Sequence, residues 1–140
     1  GKCLDEEKII KLIKDQNPKI KVFQSCYEAV NLIKFNVKND YLIFSGIGNP
    51  NNFRNTLIEN NFNVVDEIIF PDHYHYKQED IDNIKFKAKK LNAKIITTEK
   101  DYVKISEKNT DNIDFLEIDL KIKNEKDLIN FISPIIDEKY

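Results

Sequence analysis

Apolar and polar residues alternate along this 140-residue chain in blocks whose period switches between that of a helix and that of a strand. From Asp5 to Lys14 the apolar positions Ile9, Ile10 and Ile13 predict an amphipathic helix with a buried isoleucine stripe. Asp5 is placed to cap it, with Glu6 and Glu7 in the first turn and Lys11 and Lys14 in the last, signs that suit the helix dipole. Asn17-Pro18 ends it. Ile20 to Ser25 alternates as a half-buried strand does, with Ile20, Val22 and Phe23 inward. Between Cys26 and Asn39 the apolar residues Val30, Leu32, Ile33, Phe35 and Val37 serve a helix or a second strand equally well.

Tyr41 to Phe44 is a short unbroken apolar run, the pattern of a strand covered on both faces. It stops at Ser45-Gly46-Ile47-Gly48-Asn49-Pro50, which holds two of the three glycines in the chain. Gly46 and Gly48 give the backbone angles closed to other residues, Asn49 caps a helix, and Pro50 suits its first position. That helix runs from about Pro50 to Asn60, with Phe53, Leu57 and Ile58 on its buried face. Phe62 to Phe70 reads as a strand on its β-branched Val64, Val65, Ile68 and Ile69, and runs into Pro71-Asp72-His73-Tyr74-His75-Tyr76.

Ile81, Ile84, Ala88 and Leu91 are in phase over a helix from Gln78 to Leu91. Lys94 to Thr97 is a buried strand, after which Thr98 caps a brief helix with Asp101 three residues on, a weak capping box. Phe115 to Leu120 is the last strand. Asn124 then caps a helix that buries Leu128, Ile129, Phe131 and Ile132, with Pro134 interrupting near its end. Strands alternating with helices predict an α/β fold, a mostly parallel sheet with helices on both faces. No repeat, low-complexity tract or linker divides residues 1–140, which read as a single layered domain.

Composition narrows the function classes. The chain is 41% hydrophobic and 33% charged, with a net charge of −2 spread over interleaved Lys, Asp and Glu, so it makes no electrostatic case for a nucleic-acid partner. No apolar run approaches the roughly 20 residues needed to span a bilayer. Cys3 and Cys26 lack CxxC spacing and a nearby His, which argues for free thiols in a reducing compartment and against zinc. The chain opens on Gly1 and not on Met, which reads as a piece cut from something longer.

In a parallel sheet, ligands bind beyond the carboxyl ends of the strands. Three strands end in unusual loops there, Ser45 to Pro50, Pro71 to Tyr76 and Thr97 to Asp101, which together offer Asn49, Asp72, His73, His75, Glu99, Lys100 and Asp101. Gly46-Ile47-Gly48 before a helix can cradle a phosphate, but it lacks the third glycine of a dinucleotide fingerprint and the Lys of a P-loop, so a ligand-free tight turn is the competing reading. In an extended loop His73 and His75 would point the same way, yet two His and one carboxylate are too few to assign a metal. Asp72 or another carboxylate orienting a neutral His73 as proton acceptor or relay is the better functional reading, against His73 merely bonding a loop carbonyl. Thr97 to Asp101, taken singly, reads as capping plus surface ion pairs.

Taken together and in order, Phe44-Ser45-Gly46-Ile47-Gly48-Asn49-Pro50 with Phe53, Phe70-Pro71-Asp72-His73-Tyr74, and Thr97-Thr98-Glu99-Lys100-Asp101 resemble the carboxyl-terminal half of the tetraacyldisaccharide 4'-kinase family, the lipid A 4'-kinases. The likeness covers about Asp40 to Ile105. It implies a two-domain P-loop enzyme that moves the γ-phosphate of ATP to the 4'-hydroxyl of a tetraacyldisaccharide 1-phosphate at the cytoplasmic face of the Gram-negative inner membrane. Its Walker lysine, its magnesium ligands and its principal aspartate base would lie in an amino-terminal domain, since no G-x-x-x-x-G-K-[ST] occurs here.

The resemblance further implies that His73, with Asp72, reaches into the cleft toward that base. Gly46, Gly48, Asn49, Glu99, Lys100 and Asp101 would line the cleft or contact substrate. Lys77 departs from the family, whose members tend to carry Ser or Thr where the helix after the His loop begins. The chain's partners would be its own P-loop domain and the lipid disaccharide, with peripheral membrane association through the full-length protein. Alone it would fold, bind neither ATP nor magnesium, transfer no phosphate, and leave an apolar face exposed. The alternatives are a stand-alone α/β module holding a small anionic ligand at the glycine turn and His loop, and a purely structural domain.

Overall fold

β2 (Asp40–Ser45) is the strand around which the fold is built: Tyr41, Leu42, Ile43, Phe44 and Ser45 are all at most 2% exposed. Its side chains divide by parity, as the pleat of a strand requires. Leu42 and Phe44 face a cluster with Ile95, Ile113 and the helix residues Ile81, Ile84 and Ala88. Tyr41 and Ile43 face the opposite cluster, with Ile96, Leu116, Phe62 and the helix residues Phe53 and Leu57. One strand therefore feeds two cores, with α3 (Gln78–Leu91) covering one face of the sheet and α2 (Pro50–Glu59) the other.

The computed structural model describes residues 4–138, with nothing stated for the side chains of residues 4 and 5. Gly1 and Cys3 lie outside the described residues, as does the capping expected of Asp5. Six further elements complete the main sheet and its connections: β3 (Asn63–Ile69), β4 (Lys94–Thr98), α4 (Glu99–Tyr102), β5 (Ile113–Leu116) and short 3-10 turns at Leu32–Lys34 and Glu107–Asn109. The strand order is β3-β2-β4-β5, and each neighbouring pair is parallel. This is the α/β, parallel-sheet, helix-flanked fold that the sequence pattern predicts.

At the β2–β3 pair the register slips: Tyr41 faces Val64 but Leu42 faces Asp66, so Val65 is bulged out of the ladder and 40% exposed. Ile69, on the same edge strand, is 56% exposed, and Ile58 of α2 is 48% exposed, so Ile58 does not join the buried face expected of it. Leu91 at the end of α3 is likewise 38% exposed.

The structure has two compact units. One is Glu28–Asp119, which contains the parallel sheet, and the other combines residues up to Tyr27 with those from Leu120 onward. The second unit holds α1 (Leu4–Gln16) and α5 (Glu125–Asp137). Its apolar residues are poorly covered. Ile9 and Ile13 do not form the buried stripe expected of α1, and Ile129, Phe131 and Ile132 of α5 are exposed as well. A cavity of about 580 Å³ opens among Lys21, Val22, Phe23, Gln24, Lys123, Asn124, Asp127, Asn130 and Phe131.

The strand expected over Ile20 to Ser25 lies further on, as β1 (Ser25–Ala29), and Phe115 to Leu120 is split into β5 and β6 (Ile118–Ile122). β1 and β6 form a separate two-stranded sheet. The stretch from Cys26 to Asn39 thus holds neither a helix nor a full strand: after β1, Asn31 turns inward, donates to the Phe115 carbonyl at 2.9 Å and accepts from the Glu117 N–H at 2.9 Å. Asn124 sits at the start of α5 in the left-handed region, φ 57°, and makes no side-chain capping bond. Cys26 is an exposed free thiol. Among the described residues no helix is long and apolar enough to cross a membrane.

Candidate functional site

Three strands of the main sheet, β2, β3 and β4, end on one edge, and hydrogen bonds knit the loops that follow them. The Ser45 carbonyl accepts the Phe70 N–H at 2.8 Å, carrying the β2–β3 ladder one residue past the end of β3. Thr97 Oγ1 donates to the Phe44 carbonyl at 2.7 Å, tying β4 to β2 inside the core. Gly46 N–H donates to Asp101 Oδ2 at 2.9 Å, and Gly46 O accepts the His73 N–H at 3.3 Å. The glycine corner, the His loop and the start of α4 therefore meet at Gly46.

Neither Gly46 nor Gly48 has a positive φ, so the expectation that they supply angles closed to other residues is not met. Gly46 is needed for space. A Cβ there would lie 3.1 Å from the Pro71 carbonyl oxygen, 3.2 Å from the Tyr76 hydroxyl and 3.3 Å from Asp101 Oδ1, with Pro71 a backbone atom that cannot swing away. Gly48 is exposed, and a Cβ there would meet only Asp72 Oδ2 at an ordinary 3.4 Å. Asn49 caps α2 as the sequence predicts, its Oδ1 accepting the Asn52 N–H at 3.3 Å, and it stays exposed.

His73 is a non-glycine residue in the left-handed region, φ 60°, a conformation that costs on the order of 1 kcal/mol or more unless its surroundings impose it. Two acceptors do so, since the His73 N–H points to Asp72 Oδ1 at 2.9 Å as well as to Gly46 O. The Tyr74 N–H closes the turn on the Pro71 carbonyl at 3.1 Å. The loop is therefore a turn at His73, not the extended stretch that would align His73 with His75. The His73 ring is 76% exposed and lies 3.7 Å from Asp72 Oδ2, too far for a hydrogen bond that would fix its tautomer. Asp72 holds the backbone of His73 and leaves the imidazole free. Its Oδ1 also faces Lys100 Nζ at 3.6 Å, which joins the His loop to α4 across the rim. Glu99 opens α4 and is exposed.

Asp101 departs most from its sequence reading. It is 0% exposed and so is neither a surface ion-pairing residue nor a cleft-lining one. Its Oδ2 accepts from Gly46 N–H and from Thr98 Oγ1 at 2.7 Å, and Thr98 Oγ1 in turn accepts the Asp101 N–H at 3.1 Å. Lys104 Nζ, mostly covered, stands 3.3 Å from Oδ1. The Tyr76 hydroxyl is buried beside the Asp101 carboxylate, and Ser45 Oγ is buried as well. Burial pushes the Tyr76 phenol well above its ordinary range, and the Asp101 charge adds to this.

Tyr76 and Lys104 carry no sequence signal that marks them as site neighbours. Tyr76 is fixed by packing, with its ring centroid 5.5 Å from that of Phe44 and 5.1 Å from that of Phe70. Beyond it, α3 begins without a Ser or Thr cap: Asp80 Oδ2 accepts the Lys77 N–H at 2.8 Å and the Tyr74 hydroxyl at 3.1 Å, a bond that raises the Tyr74 pKa. The departure at Lys77 therefore leaves the helix start intact.

Among the described residues no three His, Cys, Asp or Glu side chains stand close enough to hold a metal ion.

Against known proteins, the family model described as Tetraacyldisaccharide-1-P 4'-kinase matches residues 6–137. The tetraacyldisaccharide 4'-kinase of Pelagibacter ubique (strain HTCC1062) is 40% identical over 129 residues, which is 90% of this chain and 41% of that protein. The enzyme of the same name from Rickettsia akari (strain Hartford) is 38% identical over 137 residues, 93% of this chain and 42% of that protein. The chain thus spans about two fifths of the length of the curated relatives it matches. A crystal structure of "apo" form LpxK from Aquifex aeolicus in complex with ATP shares the fold, with a TM-score of 0.54 and 22% identity over 87% of this chain and 40% of that one. With the family model matching nearly its whole length, the chain belongs to the tetraacyldisaccharide-1-P 4'-kinase family.

Proposed function

We propose that the protein containing this chain transfers the γ-phosphate of ATP to the 4'-hydroxyl of a tetraacyldisaccharide 1-phosphate in lipid A biosynthesis, and that this chain forms the lobe bearing His73. The observation that carries the reading is the state of that residue: its backbone is held by two acceptors in a left-handed turn while its ring is free at the rim. A residue fixed in the main chain and unengaged in the side chain suits a group that acts on something arriving from outside.

Phosphoryl transfer requires an acceptor hydroxyl in line and its proton removed, with cations around the phosphates. His73 acts beside the base supplied by the rest of the protein, and Asp72 serves it by fixing the turn. Lys100 and Asn49 border the cleft, and Glu99 stands beside them on α4. The rest of the protein brings the P-loop, ATP and magnesium. It also covers apolar surface that α5 leaves exposed, and associates with the cytoplasmic face of the inner membrane. The test is direct: purified full-length protein with ATP and tetraacyldisaccharide 1-phosphate is expected to yield the 4'-phosphorylated lipid, and the 140-residue chain alone to yield none. Turnover by the chain alone, or no transfer by the full-length protein, would overturn the proposal.

A further inference from the structure

We infer that Asp101 is a positioning residue for the reaction, acting through the Gly46 peptide to set where His73 stands. The inference rests on the role proposed for His73. Its basis is an unbroken chain of contacts: the buried Asp101 carboxylate accepts the Gly46 N–H at 2.9 Å, and the carbonyl of the same glycine accepts the His73 N–H at 3.3 Å. Asp101 has no solvent exposure, so it cannot touch a substrate. A carboxylate is nonetheless costly to bury, and simple closure of the α4 turn needs only the Thr98 hydroxyl that already caps it.

The carboxylate oxygens reach further than a cap. One holds Gly46 and Thr98 together, and the other faces Lys104 and the buried Tyr76 hydroxyl. Gly46 has no side chain and is crowded by Pro71, Tyr76 and Asp101, so its place is held by its surroundings, with its N–H on the Asp101 carboxylate. The Gly46 carbonyl belongs to the next peptide unit, joined to the first at its Cα, so a displacement of Gly46 also shifts this carbonyl, which is one of two acceptors holding the left-handed backbone of His73. A misplacement of about 1 Å at a reacting group can cost about 100-fold in rate.

The test is a double-mutant cycle in the full-length protein, measuring kcat and KM for ATP. Asp101→Ala is expected to lower kcat by about 30- to 100-fold with the KM for ATP little changed. Asp101→Asn should restore part of that loss, because its amide oxygen still accepts from Gly46 and Thr98, while its NH2 can no longer accept from Lys104 Nζ. In a His73→Ala background, Asp101→Ala should cost little more, since the two substitutions remove one function.

Equal losses in both backgrounds would overturn the inference and leave His73 in place. An unchanged rate for His73→Ala itself would remove the reading of His73, and the inference with it. If Asp101→Ala does not fold, Thr98→Val, which removes one donor to the carboxylate, is read the same way. A kcat loss of about 5-fold that vanishes in the His73→Ala background supports the inference, and a loss that persists there overturns it.

Discussion

His73→Ala in the full-length protein is expected to lower kcat by about 100- to 10,000-fold, the range for removing a general acid–base group, with the KM for ATP nearly unchanged. The asymmetry follows from where the residue stands. The ring is exposed at the rim and makes no hydrogen bond to Asp72, and under the proposed function the nucleotide is held by the P-loop of the rest of the protein. The backbone consequence works in the same direction. Ala tolerates φ 60° poorly, so the variant also loosens the turn unless Asp72 and Gly46 retain it. His73→Asn, which accepts the left-handed region, separates the two effects: it should keep the turn and still lose the rate. A kcat within about twofold of wild type for both variants would remove His73 from the chemistry.

Phe44→Ala should be the most damaging substitution in the sheet, costing about 3–5 kcal/mol of stability by denaturant unfolding. Phe44 is fully buried near the carboxyl end of β2, packs edge-on against Tyr76 at 5.5 Å and Phe70 at 6.4 Å, and stands one residue before Ser45 and the glycine corner. Truncation empties space on the α3 side of the sheet and removes the surface that fixes Tyr76 above Asp101. Ile69→Ala, on the exposed edge of the same sheet, should cost well under about 1 kcal/mol. Similar costs for the two would contradict the assignment of β2 as the strand that serves both cores.

What could be read from the chain, and what could not, divides along the range of the interactions involved. β2, α2 and α3 are specified locally: the apolar run of Tyr41 to Phe44, the Asn49-Pro50 start and the spacing of Ile81, Ile84 and Ala88 need no distant partner to be recognised. Ile20 to Ser25 alternates equally well, yet alternation becomes a strand only where a ladder exists, and the partner of β1 is β6, near the other end of the chain. In α1 and α5 the helical period marks which face is apolar, but burial depends on a covering surface that the period does not encode.

At the site, the gathering of three loops on one edge follows from a parallel sheet and was visible in advance. The burial of Asp101 was not. Flanked by Lys100 and Lys104, it has the pattern of a surface residue, and its burial depends on the Gly46 N–H, 55 residues away, beside the local partners Thr98 and Lys104. The glycines show the same limit: two in a corner signal a turn, whereas the reason for Gly46 is three oxygen atoms from elsewhere that leave no room for a Cβ.

Everything proposed for His73 depends on Asp101 and Gly46 drawing the strand ends into one rim. Residue-resolved amide hydrogen exchange measures that tie most directly. The Gly46 amide, bonded to a buried carboxylate, is predicted to exchange as slowly as the amides inside β2, while that of exposed Gly48 exchanges freely. A Gly46 amide exchanging as fast as that of Gly48 would contradict the account.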